Sequence, residues 1–176
     1  WSNTSDGASQ YIFACNNVGL YAYIGSSYIQ TSFSPTLNTW QYLSITHNFQ
    51  TCNTIFYIEG VPVYTEQNVC PEAITTNHDI NIGGNSTVGL SNTVDGLMDN
   101  VEFWNTALSL EEILQYRNCP PNGDEIGLIG FWNFNDGPNY VNVEDQSTYS
   151  NNGSTVLEGG ESSYNAENCP ENCESI

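Results

Sequence analysis

Basic side chains are almost absent from this chain. Lys and Arg together number one, Arg117, against twenty Asp and Glu, for a formal charge of -19 over 176 residues. Nucleic acid is excluded as a partner, because displacing counterions from a phosphate backbone takes Lys and Arg. An anionic membrane surface is excluded on the same ground. No apolar run is long enough to cross a bilayer, so no membrane insertion is expected. The sequence starts at Trp1 with neither an initiator Met nor a signal-peptide pattern, and reads as a processed form or a fragment. The six cysteines lack the paired close spacings of a zinc site, and two histidines elsewhere do not repair that.

Aromatic residues are plentiful, with 11 Tyr, 7 Phe and 4 Trp, in a background of Asn, Ser, Thr and Gly. That is the make-up of a β-rich domain with many turns, and the length suits one domain with one core. Strand-like segments recur: "SQYIFAC", "GLYAYIG", "SYIQTSF", "WQYLSITHNF", "NTIFYIEG", "VPVYTE", "HDINIGG", "GLMDNVEFW", "GLIGFWNF" and "STVLEG". Turn pairs separate them, among them Asn16-Asn17, Gly25-Ser26, Glu59-Gly60 and Asn152-Gly153. Short strands at regular spacing predict an all-β antiparallel sandwich or barrel. One helix stands out. Ser109 caps it, Glu112 completes a capping box, Leu110, Ile113 and Leu114 would face the sheet, and Pro120-Pro121 stop it.

An even cysteine count in a chain this poor in Lys points to disulfides, and so to a secreted or cell-surface, extracellular setting. Three sequons, at Asn3, Asn85 and Asn152, agree with that setting. Cys52 lies in the turn after one strand, and the next two strands run away and back, bringing Cys70 to the same end of the sheet. These two are expected to pair. Cys119 would pair with Cys169 or Cys173, and Cys15 with whichever remains or inside its own loop.

Strict alternation over "GLMDNVEFW" would place Leu97, Asp99, Val101 and Phe103 on one face. A lone carboxylate there costs several kcal/mol, roughly, unless it is paired. With almost no bases in the chain, a hard cation is one partner, since Ca²⁺ takes oxygens from carboxylates, carbonyls and water. The other reading is that Asp99 accepts backbone N–H bonds at the sheet rim. Asp95 lies beside it, and Asp136 and Asp145 sit in a second oxygen-rich stretch with Asn135, Asn151 and Asn152. These four aspartates are the candidate calcium ligands. The spacing is not that of an EF-hand, and Asn and Asp also make turns.

Two stretches carry a family resemblance: "LNTWQYLSITHNF…TIFYIEGVPV…INIGG…VDGLMDNVEFWNTALSLEEI" and "GLIGFWNFNDG…VEDQSTYSNNGSTVLEG". In order they resemble the laminin-G-like jelly-roll domains of the concanavalin A-like lectin/glucanase superfamily, of the kind found in secreted Bacteroidetes surface proteins. The resemblance implies a two-sheet concanavalin A-like sandwich with one short helix, and often a structural calcium held by an Asp on the "DNVEFW" strand. It also implies that residues 1–176 form a single domain lacking the usual first strands, with 120–176 folding back on the sandwich. The gap would be filled by "GLIGFWNF" or by a strand from a neighbouring chain.

Sugar-cleaving members use a Glu-x-Asp-x-x-Glu strand, which is missing here, and Glu102 stands as a lone acid. His47 and His78 have no serine in a Gly-flanked elbow to serve. The chain is therefore expected not to be an enzyme. The function expected is adhesion or recognition of a carbohydrate, such as a cell-surface glycan, with calcium as a stabilising ion. Exposed aromatic faces stack on sugars, and Tyr21, Tyr23 and Tyr28 are the candidate glycan-binding residues, with Trp40 as a further one. Against that, most sandwich aromatics are core, and Trp40, Trp104 and Trp132 are expected there. The alternative function is a repeating subunit of an extracellular filament or sheath, self-assembled from identical chains by strand complementation. A glycoside hydrolase stands third.

Overall fold

The segment "LYAYIG" alternates small or aliphatic residues with tyrosines, which gives a strand two unlike faces. In the computed structural model this strand is the centre of a three-stranded sheet. The structure describes residues 10–70, 80–83, 94, 96–135 and 142–154, with the backbone alone for 10–12. The chain divides into two compact units, Trp1–Asp95 with Ala107–Leu114, and Gly96–Thr106 with Gln115–Ile176.

The first unit holds two antiparallel sheets. One contains β1 (Gln10–Cys15), β2 (Leu20–Gly25) and β3 (Ser27–Gln30) in that order. The other contains β4 (Leu43–Asn48), β5 (Asn53–Ile58) and β6 (Val61–Glu66), again in order. Their inner faces share one core. Leu20, Ala22, Ile24 and Ile29 come from the first sheet and Phe56 from the second, joined by Val69 and flanked by Phe13, Leu43, Ile45, Ile58, Val63 and Tyr64. Phe13 meets Phe56 edge to face, ring centroids 6.0 Å apart. That is the favoured geometry for an aromatic pair. Two layers over one apolar core make a sandwich.

The turns explain the register. Glu59 (φ +55) and Gly60 (φ +71) are both left-handed, as a two-residue type I′ hairpin requires, and they set Ile58 opposite Val61. Gly60 is needed twice over. A Cβ at that position would stand 2.5 Å from Leu114 Cδ2. Asn16 turns the β1–β2 connection by accepting N–H bonds from Val18 (2.9 Å) and Gly19 (3.1 Å) on Oδ1.

The helix α1 (Leu110–Asn118) starts with the expected capping box. The Ser109 N–H donates to Glu112 Oε2 (2.7 Å) and the Glu112 N–H to Ser109 Oγ (3.3 Å). These bonds hold the Glu112 carboxyl below its ordinary value. Ile113 is buried, while Leu110 and Leu114 stay substantially exposed, so the apolar stripe is narrower than the sequence suggested.

The second unit contains β7 (Val101–Trp104) paired antiparallel with β8 (Leu128–Trp132), and the short pair β9 (Asn142–Val143) with β10 (Gly153–Ser154). The strand from "GLIGFWNF" is thus paired within the chain, on "VEFW". Its core is aromatic. Phe103 meets Trp132 at 5.9 Å and 82°, and Trp104 lies 4.8 Å from Tyr116.

Several expectations change. Strand β7 begins at Val101, and Asn100 before it has φ +49. A left-handed residue interrupts the two-residue alternation of an extended chain, so the pattern from Leu97 to Phe103 is broken and Asp99 is not on a strand face. Ile80–Gly83, from "HDINIGG", form no strand. Trp40 is 55% exposed, in the loop before β4 and outside the core. Cys52 and Cys70 are joined, their Cα atoms 4.9 Å apart. Cys119 is also disulfide-bonded, and Cys169 and Cys173 lie outside the described residues. Cys15, expected in a disulfide, is an exposed free thiol instead. It ends β1 opposite Leu20 in the hairpin, and that register brings it no second cysteine.

Candidate functional site

Alternation turns Leu20, Ala22 and Ile24 into the core, so Tyr21 and Tyr23 must point out of the other face of β2. Strand β3 is paired so that Tyr28 sits directly across from Tyr23 and Gln30 across from Tyr21. Four side chains therefore meet on one solvent face. The Tyr23 and Tyr28 ring centroids are 4.9 Å apart, Tyr21 and Tyr28 5.8 Å, and Tyr21 and Tyr23 6.4 Å. The planes of the first two pairs are inclined at 47° and those of the third at 87°. Tyr28 is 50% exposed, and Tyr21 and Tyr23 are half-buried beside it.

Gln30 ties the cluster to the sheet. Its Oε1 accepts the Tyr28 hydroxyl (2.5 Å) and the Asn16 amide (2.9 Å). Its Nε2 donates to the carbonyls of Leu20 (3.2 Å) and Thr31 (2.8 Å). The amide is fully spent, which fixes Tyr28 without a charged group. Burial pushes the Tyr21 phenol above its ordinary value, and Tyr28, Tyr23 and Cys15 push it the same way. Tyr21 therefore remains a neutral donor. The role of Gln30 was readable from "SYIQ", because residues 28 and 30 share a face at period 2.

A family model described as concanavalin A-like lectin/glucanases superfamily, of laminin-G type, matches residues 2–114. The chain belongs to this superfamily. An S-layer domain-containing protein from Clostridium thermocellum (its residues 221–444) is similar over 66% of this chain and 66% of that chain, with 16% identity and a TM-score of 0.41. No curated protein matches the chain.

Of the four aspartates expected to hold calcium in this laminin-G-type chain, the structure describes Asp99 and Asp145. Asp95 and Asp136 lie outside the described residues. Asp99 lies just before β7, and its Oδ1 accepts the Asn100 N–H at 2.9 Å. Asp145 is 7% exposed and fully engaged. Its Oδ1 accepts the N–H groups of Phe131 (2.8 Å) and Ser147 (2.9 Å), and its Oδ2 accepts the Ser147 hydroxyl (2.8 Å) and the Asn151 N–H (2.8 Å). Burial alone would raise the Asp145 carboxyl, but these four bonds outweigh it and hold it below the ordinary value. Four donors fill the lone-pair directions of a carboxylate. Asp145 thus organises the turn around it. Among the described residues no three His, Cys, Asp or Glu side chains gather as a metal would need.

Two further titratable groups are half-buried, each with one buried polar atom that no partner meets. Glu102 on β7 accepts the Trp104 indole N–H at 3.1 Å on Oε2, while Oε1 is buried with no partner. Burial raises its carboxyl to about 7, the Trp104 bond opposes this, and the Glu125 charge adds to it. His47 Nδ1 lies 2.9 Å from Thr54 Oγ1, Nε2 is buried without a partner, and burial lowers its pKa. The candidate sequon residue Asn152 is exposed, and its Oδ1 accepts the Asp145 N–H at 3.0 Å. Asn3, Asn85 and His78 lie outside the described residues.

Proposed function

We propose that this laminin-G-type domain is a non-enzymatic carbohydrate-recognition or adhesion module working outside the cell, with Tyr21, Tyr23 and Tyr28 as its binding surface. The observation that carries the reading is the meeting of three tyrosine rings on the solvent face of β2–β3, held by Gln30. Aromatic faces bury the apolar C–H faces of sugars, and phenol hydroxyls hydrogen-bond to sugar hydroxyls. Because the rings stand on paired strands, little entropy is lost when they bind. The disulfide-bonded cysteines support an oxidising compartment. No helix among the described residues is long and apolar enough to cross a membrane. Lack of catalysis is part of the proposal: hydrolysis needs two carboxylates flanking the bond, and the tyrosine cluster contains none. Calcium has no part at this surface for the same reason.

A glycan array spanning neutral, acidic and amino sugars tests this. Binding to at least one glycan, lost in Tyr28→Ala and retained after chelation of divalent ions, is expected. No new reducing ends should appear on prolonged incubation. Silence across the array for a folded protein overturns the proposal.

A further inference from the structure

We infer that the tyrosine cluster takes a neutral, soluble oligosaccharide, as a short chain or a chain end, and neither an acidic glycan nor the flat face of a packed polysaccharide. This rests on the carbohydrate-recognition reading above and narrows its ligand class.

The first ground is charge. From Gly7 to Ile58 the sequence contains no Asp, Glu, Lys or Arg, although the whole chain carries -19. Strands β1 to β3, with all three tyrosines, Asn16 and Gln30, lie inside that span. Of the twenty acids only Asp6 precedes Glu59, and the single Arg117 is on the helix. A uronate, sialate or sulfate ester would approach a strongly negative molecule and find no guanidinium or ammonium on β1 to β3 to offset the repulsion. A cationic sugar would be drawn to the acids elsewhere in the chain, and β1 to β3 carry no carboxylate to hold it. An uncharged ligand is indifferent to the field, and phenols and amides suit its hydroxyls.

The second ground is shape. Packed polysaccharide presents a flat sugar face, which is matched by aromatic rings lying in one plane. Here no two rings are coplanar, with interplanar angles of 47°, 47° and 87°. Tyr28 is the most exposed of the three, with Tyr21 and Tyr23 half-buried and inclined to it. Rings set at such angles suit one or two sugar units better than an extended flat face. Gln30 holds Tyr28 through the hydroxyl, so the ring is not free to swing into a flat strip.

The test is titration calorimetry of the full chain against neutral, acidic and amino oligosaccharides of equal length, with a pull-down on an insoluble neutral polysaccharide. Expected are heats from a neutral oligosaccharide, an affinity unchanged between low and physiological salt, and no retention on the insoluble polymer. Tyr28→Ala should weaken binding by roughly tenfold, the cost of one stacked ring. Tyr57→Phe, a change away from the cluster, should leave binding unaltered; unfolding curves verify that both variants fold. Preference for an acidic or amino sugar, or binding to the insoluble polymer alone, with Tyr28 still required, overturns this inference and leaves carbohydrate recognition standing. Absence of binding by every class, or binding indifferent to Tyr28→Ala, removes both.

Discussion

Glu102 is the residue whose burial has the clearest energetic consequence. Its carboxyl is raised from 4.5 to about 7 because one oxygen is buried without a donor, and the Glu125 charge reinforces this. A raised folded value means that the native state holds the proton more tightly than the unfolded chain does. The stabilisation from Glu102 is therefore complete below the unfolded value near 4.5 and is lost as the pH rises through about 7. Over that window the fold should lose on the order of 2 kcal/mol, from one ionising side chain. Glu102→Gln should flatten the loss and leave the protein more stable than wild type at pH 8. Urea unfolding at pH 5, 6, 7 and 8 measures it; identical pH curves for both proteins would contradict the assignment. His47 acts oppositely. Its lowered folded pKa gives stability that is present above the unfolded value and lost as the pH falls.

At the scale of elements, the Asp145 loop shows how an acid substitutes for regular structure. Segment 145–151 is held against β8 by the Phe131 N–H on Asp145, by the Gln146 N–H on the Phe131 carbonyl (2.7 Å) and by the Asn151 amide on the Ile129 carbonyl (2.8 Å). Gly123 lets the adjoining turn close, since φ is +107 and a Cβ there would stand 2.0 Å from the Gln146 carbonyl oxygen. An Asn at 145 would keep one acceptor oxygen and turn an N–H₂ toward donors that need an acceptor. Asp145→Asn should therefore cost roughly 2–3 kcal/mol. The loss should be equal in calcium and in chelator, measured as the shift in thermal or denaturant midpoint. A loss seen in calcium alone would restore Asp145 as a ligand. The "VEDQSTYSNN" stretch reads equally as turn or as cation ligand in sequence, because both use the same residue types.

For the whole molecule the governing quantity is net charge. Nineteen uncompensated negative charges repel one another, and nearly all lie from Glu59 onward. Salt shortens the reach of that repulsion from about 30 Å at 0.01 M to about 8 Å at 0.15 M. The melting temperature should rise over that range in NaCl and equally in KCl, as scanning calorimetry would record. A flat response would show that something already neutralises the acids. Sugar binding at the uncharged sheet should not follow this trend, which separates the stability of the fold from the chemistry of its surface.

Much of this was legible residue by residue. The strands β1 to β6, the Glu59-Gly60 hairpin, the Ser109–Glu112 capping box and the Cys52–Cys70 pairing follow from period, turn chemistry and chain reversal, all of which act over a few residues. Membership of the superfamily followed from the order of such local patterns. Tertiary structure alone decided the rest. Tyr28 meets Tyr21 and Tyr23 through the pairing of β2 with β3. Asn100 breaks the face to which Asp99 was assigned, and Asp145 spends its oxygens on backbone N–H groups from two segments. Cys15 stays a free thiol at the end of its strand. These outcomes depend on register and on contacts distant in sequence, where a polar side chain takes whichever partner the packed backbone brings within reach.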